Sequence, residues 1–137
     1  MYRTKIGARA GAIVAAAALG FLAVSGAAQA TTTNGTTTIS CNASTYESVK
    51  SVSHTSNSAM TFWANDVNPA STTRVTAESS NGNWLSSQLV NEGSYVAWSS
   101  VAASTYQFYA KRSTSSDCNG PWSFGNGNYT LAYSIVY

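Results

Sequence analysis

Residues 129–137 read Tyr-Thr-Leu-Ala-Tyr-Ser-Ile-Val-Tyr, and this stretch decides the fold. Tyr129, Leu131, Tyr133, Ile135 and Tyr137 occupy alternate positions, with Thr130, Ala132, Ser134 and Val136 between them. A helix of 3.6 residues per turn would scatter these two sets around its axis, whereas a strand puts each on its own face. The segment is therefore a strand with one large apolar face.

Moving back along the chain, the same period recurs between turn residues. Residues 105–111 alternate Tyr106, Phe108 and Ala110 against Gln107 and Tyr109, and residues 95–101 set Val96 and Trp98 against Tyr95 and Ala97. Asn91-Glu92-Gly93-Ser94 marks a turn before that run. Asn81-Gly82 separates residues 72–79 from 83–90 and is the strongest hairpin signal, because a two-residue turn there needs positive φ at both positions. In the second arm Leu85 and Leu89 are expected on one side and Trp84 on the other. Met60, Phe62 and Ala64 share a face of a run expected to end in a turn over residues 65–69, and residues 46–53 form a weaker strand. No helical window follows residue 30. The pattern predicts an all-β fold: one small β-sandwich, Greek-key or jelly-roll-like, of about eight short antiparallel strands.

The start of the chain has a different character. Arg3, Lys5 and Arg9 precede an uncharged apolar run over residues 10–24, and Ala28-Gln29-Ala30 supplies small residues ahead of Thr31. That is the layout of a cleaved secretory signal peptide. The apolar run is shorter than the ~20 residues a membrane span needs. The expected organisation is a signal peptide over 1–30, a Thr-rich lead over 31–38 that is either flexible or a strand, and the sandwich over 39–137. The mature chain is expected to be secreted and extracellular, with no membrane association.

Cleavage reverses the charge. The whole chain is formally +2. After residue 30, Lys50, Arg74, Lys111 and Arg112 stand against Glu47, Asp66, Glu78, Glu92 and Asp117, a balance of −1. The apparent basicity belongs to the leader, and no basic stripe suited to nucleic acid remains. Ser, Thr and Asn make up nearly half of the remainder, so solubility rests on neutral polar groups. Two cysteines, Cys41 and Cys118, allow one intramolecular disulfide in an exported protein. Closing so long a loop stabilises by about 4 kcal/mol in the chain-entropy picture.

Catalytic chemistry finds little support. His54 is the only histidine. No serine sits in a Gly-x-Ser-x-Gly turn, and His54 reads as a surface or turn residue. Glycoside hydrolysis needs two of the five carboxylates facing across a cleft, and a domain this small leaves little room for such a groove. One histidine and two oxidised cysteines leave too few ligands for zinc. Asn65-Asp66-Val67-Asn68 and Asp117-Cys118-Asn119-Gly120 read as Asx turns, not calcium loops. No metal and no cofactor is expected.

The aromatic residues carry more. Trp63, Trp84, Trp98 and Trp122 are four indoles in a short domain. Those opposing an aliphatic face or lying in Asn- and Gly-rich loops suit stacking on a sugar or a protein hot spot. Trp84, Trp122, Phe124 and Asn126 are the candidate binding residues. The leader and the Ser/Thr/Asn-rich domain resemble small single-domain β proteins secreted by filamentous actinobacteria. That group spans inhibitors, antibiotic carriers, lectin-like modules and subunits of secreted particles. Its inhibitors and carriers usually have two disulfides where this chain can form one, so no functional residue is transferred. The expected function is a secreted, non-catalytic binding domain for an extracellular protein, including a larger secreted assembly, or for a glycan. The alternative is an inhibitor presenting residues 113–127 to an extracellular hydrolase, with a small hydrolase third.

Overall fold

The computed structural model describes residues 29–41, 45–113 and 127–137. The final alternating segment, β8 (Asn128–Val136), takes an interior place in its sheet, paired on one side with β1 (Thr32–Ser40) and on the other with β3 (Ser58–Asn68). Tyr129, Leu131, Tyr133 and Ile135 are buried, as the period-2 pattern requires, and the residues between them are half-buried or exposed. The remaining strands are β2 (Glu47–His54), β4 (Thr73–Ser79), β5 (Gln88–Val90), β6 (Ser94–Val101) and β7 (Ser104–Arg112). They form two four-stranded antiparallel sheets ordered β1-β8-β3-β6 and β2-β7-β4-β5. No helix occurs among the described residues.

The connectivity is nested. β1 pairs with β8, β2 with β7, β3 with β6 and β4 with β5. The chain is thus one long antiparallel hairpin bent at the β4–β5 turn and rolled up, so that β3 meets β8 and β4 meets β7 to close each sheet. The inward faces of the two sheets meet in an aromatic core. Phe62 stacks on Phe108 of the opposite sheet at 5.8 Å and on Tyr133 at 5.6 Å, and Trp98 meets Phe108 edge-on at 5.9 Å. Thr73 and Tyr129, also from opposite sheets, satisfy each other's buried hydroxyls at 2.9 Å. Burial pushes the Tyr133 phenol above its ordinary pKa, because the charged form would lose its water.

Several local expectations shift, each for an identifiable reason. The Thr-rich segment is strand, not flexible lead: its β-branched residues pair with β8 in one unbroken register from Thr32↔Val136 to Ser40↔Asn128. Residues 65–68 continue β3 and form no turn. A bulge between Ala64 and Asp66 resets the alternation, so that Val67 points inward at 2% exposure while Asn65 and Asp66 face out. The Asn-Gly hairpin forms, but only Gly82 has positive φ, at 81°. The loop holds three residues, Ser80 to Gly82, closed by Gly82 N–H to Ser79 O and Ser79 N–H to Asn83 O, each at 2.8 Å. Beyond it only Gln88–Val90 is regular strand, and Leu89 is exposed while Leu85 is half-buried. Residues 85–87 leave the ladder, which breaks the parity that would have put both leucines on one side.

Gly35 lies in β1 directly beneath the Tyr133 ring. A Cβ there would collide with the phenolic oxygen and come within 2.6 Å of Cζ. Gly35→Ala is expected to cost about 1–3 kcal/mol by overpacking. Thermal denaturation should show a drop of several degrees, and adding Tyr133→Phe, which removes the oxygen, should restore part of it. A Gly35→Ala midpoint equal to that of the parent chain would refute this packing.

Candidate functional site

The site grows from the irregular arm between β4 and β5. Glu78 and Trp84 form an isolated bridge just past the hairpin loop, and Leu85 N–H donates to Ala77 O at 2.8 Å. The arm then departs from the sheet, and side chains replace the missing ladder. Thr76 Oγ1 donates to Leu85 O at 2.7 Å, and Trp98 Nε1 donates to Ser86 O at 2.7 Å. Ser87 Oγ meets the Tyr46 hydroxyl at 2.7 Å and accepts a longer contact from Arg74 at 3.4 Å. Gln88 Nε2 donates to Ala97 O at 2.9 Å, tying the arm to β6 in the other sheet.

On the far wall, β6 carries its own irregularity. Met60 pairs with Trp98 and Ser58 with Val101, so β6 has one residue more than β3 over this span. Ser100 absorbs the excess at φ 54°, the only non-glycine residue with positive φ among those described. This conformation costs on the order of 1 kcal/mol for a residue with a Cβ. It lets both Trp98 and Val101 face the core, at 5% and 3% exposure. Between the arm and this bulge lies an open groove of about 390 Å³, bordered by Trp84, Ser86, Gln88, Trp98, Ser99 and Ser100 among others, and no charged side chain lines it.

Trp84 stands at the groove's end with 52% of its surface exposed. Its ring is backed by Tyr109 of β7 at 5.2 Å, tilted by 31°. A large apolar surface open to water is retained at a cost, and a second ring behind it fixes its orientation. Tyr109 is flanked on β7 by Gln107, whose amide donates to Ser48 Oγ at 2.8 Å, and by Lys111, whose ammonium sits 4.6 Å above the Tyr46 ring. The arrangement offers a rigid aromatic platform beside hydroxyl, amide and carbonyl groups.

Of the residues singled out by sequence, the structure places Trp84 on this platform. Trp122, Phe124 and Asn126 lie outside the described residues, as do Cys118 and Asp117. Cys41 is buried at the end of β1, and its N–H donates to Gly127 O at 2.8 Å. Tyr109, Gln88, Ser99 and Ser100 were not anticipated. Tyr109 carried a signal, since it opposes the core face of its strand just as Trp84 was argued to do. The Ser99–Ser100 bulge carried none, because serine is everywhere in this chain. A second aromatic pair, Trp63 and Tyr95 at 4.4 Å, joins cross-strand neighbours on the outer face of the other sheet, with Tyr95 53% exposed. That pair lies on an open sheet face, whereas Trp84 borders a concavity.

His54 is not a surface or turn residue. It ends β2 at 2% exposure, with Nε2 donating to Val101 O at 3.2 Å and its ring edge-on to Tyr106. With the proton on Nε2, Nδ1 is an acceptor, and it has no partner among the described residues. Among the described residues no three His, Cys, Asp or Glu side chains converge as metal ligands would. No family model matches the chain, and no curated protein matches it.

The burial of His54 makes it part of the packing. His54→Ala is expected to lower stability by roughly 2–4 kcal/mol through the cavity it leaves, read by denaturant titration. A variant as stable as the parent, yet altered in ligand binding, would instead put His54 in the site.

Proposed function

We propose that the chain is exported with loss of residues 1–30 and acts as a non-catalytic binding domain that takes a neutral glycan on the Trp84 platform and its groove. The carrying observation is Trp84 itself: half exposed, backed by Tyr109 at 5.2 Å, and standing at the end of an uncharged groove. Pyranose rings present apolar C–H faces to an indole and hydroxyls around their rim. Ser86, Ser99, Ser100 and Gln88 border the groove with groups that exchange hydrogen bonds with such a rim. An anionic ligand would find no cation there, and a flat protein surface would not enter a concavity of this size.

The nested strand order supports a jelly-roll assignment, an architecture that recurs in lectin domains; the glycan reading rests on the site and not on that likeness. A Cys41–Cys118 disulfide fits the same picture. Cys41 is buried, and its N–H reaches Gly127, so the chain returning from residues 114–126 arrives beside it. This bridge would fasten the last loop to the first strand, and its reduction is expected to lower the thermal midpoint.

The test is affinity electrophoresis and calorimetry of the purified protein against soluble neutral polysaccharides and suspended cell-wall glycan. Trp84→Ala is expected to weaken binding by about 30-fold or more, the loss of one hot-spot side chain. Its unfolding midpoint should stay close to that of the parent, because the ring is half in water. Absence of binding across the panel, or equal binding by Trp84→Ala, would sink the reading.

A further inference from the structure

The free side of β1 is the one sheet edge among the described residues that nothing blunts. Exposed edges invite pairing with another chain, and folded proteins ordinarily protect them with charge, bulges, shortness or cover. The other three edges show such devices. β2 carries Glu47, Lys50 and a bulge between Ser48 and Lys50. β5 has three residues. The outer side of β6 is met by the β5 arm, where Gln88 donates to Ala97 O, and it ends in the Ser100 bulge. β1 is nine residues long, with no charge, no proline and no break in its register with β8.

The hydrogen-bond phase shows which groups are available. Thr31 exchanges both of its backbone bonds with Tyr137, and Cys41 N–H bonds Gly127 O. Odd-numbered residues therefore point their N–H and C=O toward β8. The even-numbered ones, Thr32, Asn34, Thr36 and Thr38, point theirs away from it, and no other described strand pairs with them. Ser40 marks the end of this edge, because its N–H is taken by the Glu47 carboxylate at 3.2 Å. The side chains of Thr32, Asn34, Thr36 and Thr38 are exposed on the outer face.

We propose that this edge pairs with the same edge of a second copy of the chain, antiparallel about a two-fold axis at Gly35. In that register Asn34 lies opposite Thr36 and Thr32 opposite Thr38, so every outward N–H and C=O on these four residues finds a partner. Thr–Thr neighbours of this kind are favourable across antiparallel strands. The axis falls on the one residue of β1 with no side chain. Two copies meet at this edge without any charge between them, because β1 carries none. The product is a continuous eight-stranded sheet, an isologous dimer.

The chain, expressed in full and purified as its host processes it, is tested by sedimentation equilibrium, with amide hydrogen exchange at high concentration. The expected result is a monomer–dimer equilibrium with slow exchange at Thr32, Asn34, Thr36 and Thr38. Thr36→Pro removes only an outward N–H, at an edge position where proline is tolerated. Thr36→Lys places an exposed charge on the same edge. Both should raise the dimer dissociation constant at least about tenfold and abolish the slow exchange, with the unfolding midpoint little changed. A monomer up to about 1 mM, a dimer insensitive to both variants, or protection of β1 only by a different protein would each overturn the proposal.

Discussion

The stack of Phe62 between Phe108 and Tyr133 holds the rest of the structure in place. Strands within a sheet are held by backbone bonds, but nothing in those bonds fixes one sheet against the other. That requires side chains that reach across, and three rings with an edge-on Trp98 supply much of the contact. The consequences spread outward. Tyr133 fills the space above β1, so a side chain at position 35 would collide with its ring. Trp98 must face the core to reach Phe108, and its indole N–H then needs a partner, which it finds in Ser86 O on the irregular arm. The groove beside Trp84 is thus built partly by a requirement of the core.

That coupling explains why the site sits where two regular patterns fail. The arm after Leu85 leaves its sheet, and β6 gains a residue at Ser100. A fully regular β5 and β6 would lie side by side with no hollow between them. Breaking the ladder exposes backbone groups, and Thr76 and Trp98 on neighbouring strands satisfy two of them, Leu85 O and Ser86 O. The hollow's walls are tied together by these bonds, so the proposed ligand would meet positioned groups without first ordering a loop.

What was legible in the sequence follows the same division. β8, β7 and the first half of β6 were read correctly because each keeps strict parity there, and parity is visible in one dimension. Bulges are not: Asn65–Asp66 and Ser99–Ser100 each change which residue faces inward, and in a chain this rich in Ser and Asn no composition marks the change. The exposure of Leu89 followed from such a loss of phase. Trp84 was legible as a ring opposed to an aliphatic face, but Tyr109 behind it was not joined to it, since their contact depends on the pairing of β4 with both β5 and β7. His54 was misplaced because a lone polar residue near a strand end gives no sign of being covered. Its burial comes from Val101 and Tyr106, about fifty residues away in sequence.

Pairing at β1 would set the distance between the two grooves of a dimer. β1 lies at one edge of its sheet and β6 at the other, with the groove beside β6. Pairing β1 with a second β1 orders the joined sheet from β6 through both β1 strands to the partner's β6. Seven strand spacings of about 4.8 Å put the two grooves roughly 34 Å apart, at opposite ends and facing outward. Such a dimer cannot close both sites on one short oligosaccharide. It can bridge repeated epitopes on an extended surface, where weak single-site affinity is multiplied by the high local concentration of the second site. On the two proposals together, a shallow neutral groove, modest in itself, would bind a polymeric wall well and free sugar poorly. The uncharged edge proposed to pair and the uncharged groove proposed to take a glycan would then be two results of one compositional choice, a surface made polar by Ser, Thr and Asn and not by ions.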